Sequence, residues 1–519
     1  MLVKSFGAAV LGIDAVLITI EVSALRGIDF TLVGLPDNAV KESKERITSA
    51  LHVSGYSYPR KSIVINMAPA DIKKEGAAYD LPLAIGILAA DEQIPSAMLG
   101  DYLIMGELSL DGTLQPISGV LPMALAAKKA GFRGFILPAD NALEAAVVEG
   151  IDVIGVHTLS EVAEMLSGLT PIAPTVVNTE MEFERNAFPE ELDFADVCGQ
   201  ENVKRALEIA AAGGHNIIMV GPPGAGKSML AKRLPTILPP LTIEEALETT
   251  KIHSVAGLMN RKKSASGLEC ALITQRPFRS PHHTITDVAL IGGGTNPKPG
   301  EISLAHNGVL FLDEMPEYKR TALEVMRQPL EDRRITVSRA RMSVEYPASF
   351  MLVAAMNPCP CGHYGDANHT CTCSPSAIHR YLGKISGPLL DRIDIQVDIQ
   401  AVPISELQKK ERGESSESIR KRVMDARAIQ AERFKDENGV YSNAQMSSRM
   451  LRRYCPLTSQ QEQILELAMT KLGLSARAYD RILKVARTIA DLANSPDIQL
   501  QHLQEAIGYR NLDRDGWGS

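Results

Sequence analysis

A strand, a glycine-rich loop and a helix follow one another between Asn216 and Arg233, and that succession leaves the middle of the chain few folds to adopt. Ile217, Ile218, Met219 and Val220 form the short apolar run expected of a buried strand. Gly221, Pro222, Pro223, Gly224, Ala225 and Gly226 then lead into Lys227, Ser228 and Met229, completing G-x-x-x-x-G-K-S ahead of helix-compatible residues. Glycines let successive backbone N–H groups curl around one anion, and a helix N-terminus adds a favourable field. Lys227 is then expected at the β- and γ-phosphates, with the Ser228 hydroxyl on Mg2+. The stretch predicts an α/β domain that takes a nucleoside triphosphate such as ATP.

The remaining parts of such a site follow in order. Val309-Leu310-Phe311-Leu312 is an apolar run ending in Asp313-Glu314. Asp313 is expected to hold Mg2+ and Glu314 to polarise an attacking water. A strand predicted over 350–356 delivers Asn357, whose amide is suited to orienting that water. Downstream, Arg392 lies in Gly387–Asp394, ahead of an alternating strand over 395–399. An arginine here is similar to the finger that stabilises charge on a neighbouring subunit's nucleotide in AAA+ rings. The region from about 401 is helical in character, and Arg477 resembles the residue that senses the γ-phosphate, with Arg481 one turn later as the alternative.

At 519 residues the chain has room for about three domains. Composition shifts place boundaries at 1–167, a Pro/Thr/Asn-rich linker at 168–190, an ATPase core at 191–400 and a helical lid at 401–519. Lys4, Asp14 and Glu21 interrupt the apolar start, so it reads as neither a signal peptide nor a spanning helix. No membrane partner and a cytoplasmic location are expected. Seven cysteines without a secretory signal argue against a disulfide framework. A net charge of −8 excludes an overall basic nucleic-acid glove, so any DNA contact must come from local patches.

The first segment alternates predicted strands (62–66, 102–110, 134–138, 153–156) with Ala/Leu-rich helices (81–90, 121–130), an α+β or α/β pattern. Asp111-Gly112 marks a hairpin turn. The run from Gly106 to Pro138 resembles the proteolytic domain of Lon proteases, which implies a ribosomal-S5-like fold. That chemistry needs a serine activated by a lysine. In EGAAYD the serine position is Ala78, and the lysine position falls at Leu121. The domain is therefore expected to be a non-proteolytic scaffold.

Two further patterns stand out. Cys359, Cys361, Cys371 and Cys373 give C-x-C twice, and four soft thiolates suit tetrahedral Zn2+ in a structural role, with His363 or His369 as possible substitutes for one cysteine. Between Asp313 and Asn357, the stretch from Arg333 to Val344 reads as two β runs around an arginine-bearing tip. Arg334, Arg339 and Arg341 are its candidate DNA contacts. A second pore loop is expected near 278–300, with Arg279, His282, His283 and Lys298.

RPFRSPHHT (276–284), PGEISLAHNGVLFLDE (299–314), AAMNPCPCG (354–362), SGPLLDRID (386–394) and LSARAYDRILKVARTIADL (474–492) together resemble the YifB/ComM family of magnesium-chelatase-like AAA+ ATPases. The likeness spans essentially the whole chain. It implies a hexameric ring that moves on DNA, performs branch migration in natural transformation or recombination, and works beside recombination proteins. A chelatase subunit and a protein-remodelling ATPase are the rival readings.

Overall fold

The computed structural model describes residues 2–179, 181, 183, 192–259, 271–294, 297–339, 342–366, 369–402, 413–437 and 439–510. The chain divides into two units, Met1–Asn186 with Ile243–Thr274 and Pro297–Pro299, and Ala187–Thr242 with Gln275–Asn296 and Gly300–Ser519. The helix Ile243–Val255, which sequence order places inside the expected ATPase core, thus belongs spatially to the first unit.

In the first unit, Leu2–Leu11 and Asp14–Leu25 form a long antiparallel hairpin. Ser62–Ala68 pairs antiparallel with Asp14–Leu25, and Phe30–Val33 completes the sheet in parallel. Apolar residues at alternate positions (Ile18, Ile20, Val22; Ile63, Ile65, Met67) are fully buried, as the two-residue period of a strand requires. The helix Asp80–Ala90 is buried along its whole length, which explains why its sequence carries no polar face. A parallel three-stranded sheet, Tyr102–Ile104, Gly134–Pro138 and Asp152–Val156, lies within the same core. The strand expected over 102–110 ends at Ile104, and Glu107–Leu108 pairs instead with Leu114–Gln115 across the Asp111-Gly112 turn. Ala78 sits in a turn of 3-10 helix and Leu121 is buried in the helix Val120–Ala130.

The second unit is built on a five-stranded parallel sheet in the order Phe278–Arg279, Val309–Leu312, Met351–Met356, Ile217–Val220, Ile395–Asp398. The strand that comes first in the chain lies between the last two, so a topological switch point falls beside Ile217–Val220, and ligand crevices form outside the carboxyl ends of strands at such points. Three central strands are fully buried apolar runs, the pattern of a parallel sheet covered on both faces.

A buried amide locks the amino ends of these strands together. Asn216 Nδ2 donates to the Arg392 carbonyl at 3.0 Å, and its Oδ1 accepts from the Leu352 N–H at 2.9 Å. At the same end, Asp394 is fully buried, 2.5 Å from Arg481 Nη1 and 3.4 Å from His215 Nδ1. Burial disfavours its charge, yet Arg481 and His215 outweigh that cost and hold the carboxyl well below the usual carboxylate range. Helices Ser416–Phe434, Ser448–Tyr454, Ser459–Leu472, Ala476–Leu492 and Leu500–Gly508 make up the carboxyl-terminal part of this unit, joining the same apolar core. Among the described residues, no helix is long and apolar enough to cross a membrane.

Candidate nucleotide site and cysteine cluster

The carboxyl ends of three adjacent strands deliver the groups the sequence singled out. Ile217–Val220 runs into the phosphate loop, Val309–Leu312 into Asp313-Glu314, and Met351–Met356 into Asn357. They line one cleft of about 350 Å3, walled by the loop from Pro223 to Met229 together with Asp313, Glu314, Met356 and Asn357. Gly224 and Gly226 adopt φ of 79° and 87°, a region a side chain would resist, so the loop can turn its N–H groups inward.

Lys227 Nζ donates to the Gly221 carbonyl at 2.6 Å, the Pro222 carbonyl at 2.9 Å and Asn357 Oδ1 at 3.0 Å. Burial pushes this ammonium below the usual lysine range, against the pull of Asp313 and Glu314. Ser228 Oγ donates to Asp313 Oδ2 at 2.5 Å. A hydroxyl and a carboxylate held this close are hard oxygen donors, which fit Mg2+ rather than a soft metal. Asp313 Oδ1 accepts from the Glu314 N–H at 3.0 Å. Glu314 itself sits at φ 50°, an unusual conformation for a residue with a side chain.

Sequence reasoning missed the neighbour of that carboxylate. His283 Nδ1 lies 3.4 Å from Glu314 Oε2, and its ring meets Tyr318 edge-on at 6.4 Å. Tyr318 in turn donates to the Pro281 carbonyl at 2.6 Å, fixing the segment that carries the histidine. His283, expected in a pore loop, therefore stands beside Glu314. Arg279, from the same stretch, grips Glu301 with two bonds of 2.6 Å.

The candidate finger and the two candidate sensor arginines are placed elsewhere. Arg392 is buried, 2.5 Å from Glu331 and hydrogen-bonded to the Pro388 carbonyl, so its guanidinium is engaged within its own chain. Arg481 is held by Asp394 at the amino end of the sheet, and exposed Arg477 approaches Asp391, just before that end, at 4.0 Å. The phosphate loop leaves the opposite end of strands about 13 Å long. That placement is at odds with an Arg477 that touches the γ-phosphate of its own chain. Spacing along a helix cannot report which end of the sheet the helix packs against.

The basic hairpin forms as two paired strands, Arg334–Arg339 and Met342–Pro347. Arg334 is exposed and pairs with Glu345 at 2.7 Å. Arg341 and the side chain of Arg339 lie outside the described residues.

Cys359, Cys361, Cys371 and Cys373 come together as the spacing predicted, their sulfurs all within 4.8 Å of one another. Cys359 Sγ lies 3.4 Å from Cys361 Sγ and 3.7 Å from Cys371 Sγ, and Cys361 and Cys371 are 3.6 Å apart. His363 and His369 do not replace a cysteine; both turn Nδ1 toward Asp366, at 3.0 and 3.2 Å. Such a cluster can bind a metal ion. Cys198 and Cys455 are free and stand apart from it, and Cys270 lies outside the described residues.

Comparison with known proteins now bears on the whole arrangement. Models of the magnesium chelatase subunit ChlI match residues 193–407 and 20–141, and that of the ChlI carboxyl-terminal region matches 413–510. Competence protein ComM of Haemophilus influenzae is 46% identical over 516 residues, covering 98% of this chain and 97% of that protein. The chain belongs to the YifB/ComM family. YifB of Escherichia coli is likewise 46% identical over 512 residues, covering 98% and 96%. Lon protease 2 of Bacillus subtilis shares 33% identity over 127 residues, 24% of this chain and 22% of the protease. Membership of a magnesium-chelatase-like AAA+ family implies ATP and Mg2+, and the donor set around the cleft fits both.

Proposed function

We propose that this YifB/ComM family member is an ATP-hydrolysing motor that assembles as a hexameric ring in the cytoplasm and acts on DNA, driving branch migration in natural transformation or recombination. The observation that supports hydrolysis most is the convergence of Lys227, Ser228, Asp313, Glu314 and Asn357 on one cleft at the sheet's switch point. Lys227 offsets the charge of the β- and γ-phosphates, while Ser228 and Asp313 hold the metal ion, which when bound neutralises charge building on the phosphate oxygens. Glu314 takes the proton of the attacking water, and Asn357 orients that water. The same proposal assigns Zn2+ to Cys359, Cys361, Cys371 and Cys373.

The DNA part rests on two supports. A relative that matches 98% of the chain carries the name competence protein, and an arginine-bearing hairpin precedes the strand that delivers Asn357. Repeated around a ring, Arg334, Arg339 and Arg341 would make a basic channel on an otherwise acidic protein. Recombination proteins are the partners this role implies.

The test is ATP hydrolysis with and without single-stranded and branched DNA, using Glu314→Gln to show that turnover belongs to this site. Stimulation by DNA supports the motor. A rate indifferent to every DNA tested sinks it and moves protein remodelling, which the Lon-like segment suggests, to the front.

A further inference from the structure

The cysteine cluster and the phosphate loop touch. Gly362, between the two cysteine pairs, adopts φ +87°, and a Cβ built on it would stand 2.6 Å from Pro223 Cδ, so the knuckle backbone lies directly against the ring of a phosphate-loop residue. Gly362 N–H donates to the Cys359 carbonyl at 3.0 Å, which makes this close approach part of the turn that the cysteines close. Cys359 follows Asn357 by two residues, so the cluster adjoins the cleft at two places, Pro223 across space and Asn357 along the chain, both in the wall of that cleft.

The sulfur geometry says what holds that turn closed. Disulfide-bonded sulfurs lie at about 2.05 Å, far shorter than the 3.4–3.7 Å found here. A tetrahedral ion with Zn–S bonds of about 2.3 Å separates its sulfurs by about 3.8 Å. Without a shared ion, four thiols offer one another only weak hydrogen bonds, too little to hold the turn closed.

We infer that a zinc ion on Cys359, Cys361, Cys371 and Cys373 clamps the phosphate loop through Gly362 and Pro223, so that nucleotide affinity depends on the metal. The inference rests on the zinc assignment proposed above and adds a consequence to it. Metal loss, whether by chelation or by oxidation of the thiolates, releases the brace on Pro223 and lets the loop leave its phosphate-binding shape. The cluster then acts as a metal- and thiol-dependent control on a site to which it contributes no ligand.

The experiment combines a metal assay with a binding assay on the full chain. Zinc is measured on purified protein, then released with a mercurial, and binding of a fluorescent ADP analogue is titrated before release, after it, and after zinc and thiol are restored. The expected result is about one zinc per chain, with binding weakened on the order of ten- to hundredfold on release and recovered on restoration. One zinc per chain with affinity unchanged on release overturns the clamp and leaves the zinc assignment standing. A preparation that binds nucleotide while holding no zinc overturns both. Should release unfold the domain, Gly362→Ala keeps every cysteine while straining the knuckle turn and pushing on Pro223: zinc retained with weakened binding supports the clamp, and zinc retained with normal binding overturns it.

Discussion

His283 Nδ1 lies 3.4 Å from Glu314 Oε2, so an imidazole from the neighbouring upstream segment faces the carboxylate assigned to activate water. Glu314 is held in left-handed backbone geometry, and His283 is fixed from behind by Tyr318. The role proposed for His283 is to orient that carboxylate. His283→Ala is expected to lower the turnover number about tenfold, a fraction of what the base itself contributes, with ADP affinity within about twofold of wild type. His283→Asn, which returns a donor near the Nδ1 position, is expected to recover much of the rate. A loss in affinity instead of turnover would assign the residue to folding of the loop.

Lys227 and Glu314 separate binding from chemistry. Removing the ammonium in Lys227→Ala deletes charge-assisted bonds worth about 1.5–3 kcal/mol each, so nucleotide affinity should fall at least about tenfold. Glu314→Gln should keep affinity and lower turnover by about 10²–10⁴. Equilibrium titration beside a phosphate-release assay checks both.

The buried Asp394–Arg481 pair, 2.5 Å apart at the amino end of the sheet, is a stability element. Asp394→Asn leaves the guanidinium buried without its counter-charge and should cost about 3–5 kcal/mol in a urea unfolding experiment. The sign with pH follows from the depressed carboxyl: its contribution is present above the ordinary aspartate pKa of about 3.9 and is lost only as pH falls through the lower folded value. The difference between wild type and Asp394→Asn should therefore persist across neutral pH and shrink only in strong acid.

Arg392 and Glu331 should couple. Their 2.5 Å contact, with Arg392 buried, predicts that Arg392→Ala destabilises the second unit and that a cycle with Glu331→Ala gives an interaction energy of about 0.5–3 kcal/mol. Additive effects on stability, joined to lost hydrolysis, would support the finger role.

The hairpin prediction concerns salt. If Arg339 and Arg341 each meet a phosphate, replacing both by alanine should weaken DNA binding across sequences and flatten the dependence of log affinity on log salt by about 1 for each arginine. Fluorescence anisotropy over a salt series measures this directly, and an unchanged slope would sink the assignment.

The nucleotide cleft was legible in the sequence because its parts are local. A phosphate loop needs its glycines, lysine and serine within a few residues, and each of Asp313, Glu314 and Asn357 directly follows an apolar run that can only be a buried strand. The cysteine cluster was legible for the same reason, since C-x-C pairs carry their ligand spacing with them. Helices over 80–90 and 120–130 could be read from composition, whereas the opening hairpin Leu2–Leu25 was read only for what it excludes, its alternation masked by small residues such as Gly7, Ala8 and Ala9.

What tertiary structure alone decided is which distant pieces meet. Long-range packing placed Ile243–Val255 with the first unit, His283 beside Glu314, Arg392 inward on Glu331 and Arg481 at the far end of the sheet. Arginine serves equally as a buried pair, a solvated charge or a finger, and its residue type carries no information on which surface it will face. The contact of Gly362 with Pro223 depends likewise on how two loops from separate strands stack. Local chemistry is written in residue type and spacing; the direction a long side chain takes is set by the free energy of the packed whole.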